Sequence, residues 1–141
     1  MKQYILKSII MIYYFTTTLN CTFEEALSKI DRALARESFG IVSEINMQEK
    51  FKEKLNVDFP KYTILGTCNP AFAHKAIQKE NKIGTMLPCN FIVQETNEGK
   101  IEVTAVDPAA SMMAIQNPEL ENLATEVRHK IKNIIDSLQN D

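Results

Sequence analysis

Tryptophan is absent from the 141 residues, glycine appears four times and proline five times. So few chain breakers exclude collagen-like repeats and low-complexity linkers, which cannot be built without them. Histidine is as scarce: only His74 and His129 would exchange protons near neutral pH without a large pKa shift. There is no P-loop, no G-x-G-x-x-G, no G-x-S-x-G, no H-E-x-x-H and no Cys-x-x-Cys, so no standard signature names a reaction. Cys21, Cys68 and Cys89 are an odd count without tight spacing, which argues for reduced thiols in a cytoplasm and against a secreted disulfide framework. Excess charge is missing too. Sixteen Lys and Arg face eighteen Asp and Glu, a formal net charge of −2, with no basic stripe to draw nucleic acid or an anionic membrane.

What is present is ordinary globular material, 45% hydrophobic and 24% charged, enough for one domain. That domain is expected over residues 11–139, with residues 1–10 as an N-terminal extension. Lys2 and Lys7 before the apolar run Ile9–Phe15 faintly resemble a signal peptide, but the run is too short to span a bilayer and no Ala-x-Ala site follows. The β-branched and aromatic residues from Ile12 to Thr18 read instead as a strand.

Thr22-x-x-Glu25 is a capping box, and Phe23, Ala26, Leu27, Ile30 and Leu34 recur on one helical face. Gly40 is expected to take the left-handed position at that helix's exit. A strand over Ile41–Ile45, a short surface helix over Met47–Leu55 and a strand over Tyr62–Cys68 follow. Asn69-Pro70 is an N-cap with proline at the first helical position, turning Phe72, Ala73, Ala76 and Ile77 inward. Pro88 biases Leu87 to extended backbone. Phe91–Val93 and Ile101–Ala105 form a hairpin across Asn97-Glu98-Gly99, stopped by Asp107-Pro108. Asn117-Pro118-Glu119 opens a last helix bearing Leu120, Leu123, Val127, Ile131, Ile134 and Leu138. The order β-α-β-α-β-α-β-β-α predicts an α+β two-layer sandwich, with a mostly antiparallel sheet of about five strands and helices on one face.

Two segments concentrate the chemistry: Gly66-Thr67-Cys68-Asn69-Pro70 and Gly84-Thr85-Met86-Leu87-Pro88-Cys89-Asn90. Each sets a cysteine beside an asparagine and a proline at a junction between elements. The helix after Asn69 would favour a Cys68 thiolate, or hold an anion on its first amides; a cap serving its own helix explains the same residues. Cys68 and Cys89 are candidates for a thiol pair or for small buried hydrophobes. With His74 they would offer three ligands to zinc or copper, and no fourth is evident. Asp107 is a candidate base or ligand contact, or else turn chemistry. Met86, Met112 and Met113 would line an adaptable apolar surface, a core or a dimer contact.

Gly66-Thr67-Cys68-Asn69-Pro70 with Ala73 and Ala76, Ile83-Gly84, Leu87-Pro88-Cys89-Asn90 and Asp107-Pro108, in this order, resemble the domain of unknown function 302 family. The likeness extends from Tyr13-x-x-Thr16 through Phe23-Glu24-Glu25-Ala26 to the last helix. It implies a small α+β domain similar to half of the TATA-binding protein, found as a homodimer in bacteria and archaea, and it supplies no reaction. Phe39-Gly40 reverses the family's Gly-Phe at a helix exit. Fold carries no function here.

The reading that follows is a cytoplasmic homodimer that binds a small or anionic ligand, or presents thiols, where the two motifs meet. Cys68 and Cys89 are its thiol or ligand groups, Asn69 and Asn90 its hydrogen bonders, Pro70, Pro88 and Asp107 its flanks, and no cofactor is identified. The alternative is a dimerisation module with both cysteines buried, and the third is a soft-metal protein using Cys68, Cys89 and His74.

Overall fold

A computed structural model describes residues 12–140; the extension over residues 1–10 lies outside them. Strand β1 (Tyr14–Leu19) leads to helix α1 (Phe23–Arg36), β2 (Gly40–Asn46), α2 (Met47–Leu55), β3 (Tyr62–Cys68) and α3 (Pro70–Lys79). Then come β4 (Cys89–Glu95), β5 (Ile101–Val106), a four-residue helix α4 (Pro108–Ser111) and α5 (Glu121–Ser137). The five strands form one sheet in the order β1-β5-β4-β3-β2, every pair antiparallel. The last strand therefore docks between the first and the fourth. Helix α1 carries the chain from one edge of the sheet to the other.

Strand alternation sorts the side chains. Leu65, Phe91, Val93, Ile101, Val103 and Ala105 are buried beneath α1 and α5, whose Ile30, Leu34, Ile131, Ile134 and Ile135 complete the main core. The opposite face carries Thr16, Ile64, Ile92, Gln94, Glu102 and Thr104, none of them fully buried. The expected α+β layering holds, with α1 and α5 on one face. A smaller cluster of Ala76, Ile83 and Leu120 sits under the turn between α3 and β4.

Three local expectations are corrected. The left-handed residue after α1 is Ser38 (φ 62°), not Gly40, which is already in β2. The helix ends at Arg36, two residues past the last member of its apolar stripe, with Phe39 N–H bonding Leu34 O (2.9 Å) and Ser38 N–H bonding Ala35 O (3.1 Å). This two-bond closure buries Phe39 against the helix it leaves. Ile77, expected inward, is 46% exposed, because α3 is only ten residues long and its inner stripe is used up by Ala76. Between β5 and α5 a simple stop was expected. Instead α4 and two 3-10 turns (Met112–Ala114 and Pro118–Leu120) cross the end of the sheet. Asn117 caps the second turn through Glu119 N–H (3.1 Å) and donates to Lys79 O (3.1 Å), holding this crossing segment against the end of α3.

Candidate functional site

The two cysteine motifs meet because β3 and β4 are neighbours in register. Thr67 pairs with Cys89, and the Thr67 hydroxyl donates to Cys89 O at 2.9 Å. One residue further, Cys68 ends β3, and Asn69 turns the chain into α3. Asn69 is 8% exposed. Its Oδ1 accepts from Phe72 N–H (3.3 Å), and its amide donates to Glu37 O (3.4 Å), tying the start of α3 to the exit of α1. Pro70 follows as the first helical residue, where its missing N–H costs nothing.

Above this junction, β3, β4, α3, the crossing segment and α5 leave a hollow of about 50 Å³. That is several times the roughly 10–15 Å³ one water needs on this measure. Phe72 and Ala73 of α3, Met112 of the crossing segment and Leu123 and Val127 of α5 form its walls. Cys68, Asn69 and Cys89 line its base. The hollow thus falls where the main core and the smaller cluster fail to close on each other.

Burial is the main cause that pushes the Cys89 thiol up to about 11 from the ordinary 9.0, and the neighbouring Cys68 charge adds to it. Cys89 is therefore a protonated thiol at neutral pH, and a poor nucleophile. All three cysteines are free.

Other candidates lie elsewhere. Asn90 points to the opposite face of the sheet, beside Ile92 and Tyr62. Pro88 packs over Gly66: a Cβ built at Gly66 would stand 2.7 Å from the proline Cγ and 2.2 Å from Ser43 Oγ. Pro70 and His74 are exposed on α3 and do not line the hollow. Asp107 is committed to structure. One carboxylate oxygen accepts from Ala109 N–H (3.0 Å) to cap α4, and the other pairs with Arg128 Nε (3.1 Å). Its chain neighbour Pro108 lines the hollow instead. With His74 turned away, no group of three or more His, Cys, Asp or Glu stands ready for a metal among the described residues.

Alternation along β4 could have separated these residues in advance. With Phe91 and Val93 inward, Cys89 must face in and Asn90 out. The walls supplied by Phe72, Leu123 and Val127 carry no such signal, since helical periodicity marks them as inward but not as unpacked.

A crystal structure of an uncharacterised conserved DUF302 protein from Bacillus stearothermophilus superposes with a TM-score of 0.85, covering 92% of this chain and 100% of that one. Sequence identity is 23%, so the likeness is one of fold. No curated protein matches the chain. The family described as Domain of unknown function DUF302 matches residues 15–138, spanning both cysteine motifs and nearly all of the sheet and helices. The chain is a member of the DUF302 family.

Proposed function

We propose that this domain is a ligand-binding module whose guest occupies the hollow between the ends of β3 and β4 and the helices α3 and α5. Recognition is by shape and by apolar and soft sulfur groups. Ligand sites are concave and mostly apolar, and here a half-open apolar hollow of about 50 Å³ remains beside a second small core. That observation carries the reading. The cysteines serve as polarisable wall, since the thiol raised at Cys89 is not the nucleophile a catalytic reading needs.

Xenon is a suitable probe, because apolar cavities take it up and it is small enough for a hollow of about 50 Å³. In a titration followed by methyl NMR, the Leu123 and Val127 signals should shift saturably, and the variant Ala73→Leu, which fills the hollow from α3, should abolish the shifts while remaining folded. Shifts spread evenly over the surface, or unchanged in Ala73→Leu, would contradict the reading.

A second reading concerns assembly. Ile45, Ile64 and Ile92 lie in register across β2, β3 and β4 on the open face, flanked by Tyr14 and Tyr62. Such a row favours a homodimer formed through the sheet. A reducing, cytoplasmic setting suits the three free thiols, and no described helix is long and apolar enough to cross a membrane.

A further inference from the structure

Three sulfur-bearing side chains, two thiols and one thioether, line the hollow from three separate elements. Cys68 comes from the end of β3, Cys89 from the start of β4 and Met112 from the crossing segment after β5, and all three line the same space. The lining contains no histidine and no carboxylate, and its two oxygen-bearing side chains, Thr67 and Asn69, are already engaged in hydrogen bonds to the backbone. We infer that the hollow is a site for monovalent copper, held by the thiolates of Cys68 and Cys89 with the thioether of Met112 as third ligand. This rests on the reading that the hollow admits a guest, and it names the guest's class.

The donor set makes the selection. Thiolate and thioether sulfur favour Cu(I), whereas carboxylates, carbonyls and water suit magnesium, calcium and manganese. Structural zinc takes four Cys or His ligands in a tetrahedron, whereas the hollow offers two cysteines and both histidines are exposed on α3 and α5. On binding, two S–H bonds break and two Cu–S bonds form. The two protons pass to solvent, the thioether adds a lone pair, and no electron changes hands. The product carries one negative charge, and α3, a ten-residue helix, begins beside Cys68, with the positive end of its dipole at that point.

Because protons are displaced, affinity must rise with pH.

The test is an anaerobic titration of the reduced full chain with Cu(I) against a chromophoric Cu(I) chelator. One equivalent should be withheld from the chelator, with a thiolate-to-copper absorption in the near ultraviolet. Cys68→Ser and Cys89→Ser should each weaken retention at least 100-fold. Met112→Leu, which conserves volume and so leaves the fold intact, should weaken it about tenfold, and Cys21→Ser should leave it unchanged. Copper passing wholly to the chelator, or loss in Cys21→Ser as large as in Cys89→Ser, would overturn the inference. The xenon titration separates the two levels: xenon bound without copper ends the metal assignment alone, and neither bound ends both.

Discussion

Cys89 illustrates what one residue's surroundings do to its chemistry. Its thiol is held up at about 11 mainly by burial, so the folded chain keeps a proton that the unfolded chain releases near pH 9.0. The sign follows: the stabilisation is complete below the unfolded value and is lost as the pH rises through the folded one. Between those limits the wild-type urea midpoint should fall faster than that of Cys89→Ala, by up to about 1.4 kcal/mol per pH unit. Parallel pH profiles for the two proteins would place Cys89 in contact with water. The residue type was legible in the sequence, and so was its inward direction by alternation with Phe91 and Val93. Its pKa was not legible, because Cys89 is buried against the main core, whose helices α1 and α5 are distant in sequence. Asp107 shows the converse. Asp-Pro marks a turn locally, but its partner Arg128 lies on α5, and that pairing is what removes it from the list of candidate bases.

At the level of elements, local signals were the readable ones. The Thr22 hydroxyl accepts from Glu25 N–H (3.1 Å) and Asn46 Oδ1 from Glu49 N–H (3.1 Å), so caps fixed where α1 and α2 begin. The exit of α1 was misread because glycine is the usual left-handed residue, and Gly40 was the nearest one. Ser38 takes that conformation instead (φ 62°), at a steric cost glycine does not bear. Replacing Ser38 with glycine should therefore stabilise the protein by about 0.5–1 kcal/mol, the relief of Cβ crowding exceeding the entropy lost on folding. Thermal unfolding measures it, and a lower midpoint would refute the assignment of strain. The segment from Pro108 to Leu120 had no readable period, since it advances by short helical turns held through caps and the Asn117 bond to Lys79 O.

For the whole molecule, the layered α+β class followed from the order of elements, whereas strand order did not. The docking of β5 against β1 pairs residues such as Tyr14 and Val106, a contact that no local pattern encodes. That arrangement leaves one sheet face uncovered, with Ile45 and Ile64 paired and Ile64 paired in turn with Ile92. If two copies meet there, Ile92→Lys should convert a dimer to a monomer in sedimentation equilibrium, by placing two like charges in a desolvated contact. An unchanged mass would locate any assembly elsewhere. The hollow is likewise a property of the whole, left where α3, α5 and the crossing segment close over the strand ends. Its capacity for a guest is most directly measured by diffraction from crystals pressurised with xenon, which settles in apolar hollows. The account predicts one strong anomalous peak between Phe72, Met112 and Val127; an empty hollow, with xenon only at surface sites, would contradict it.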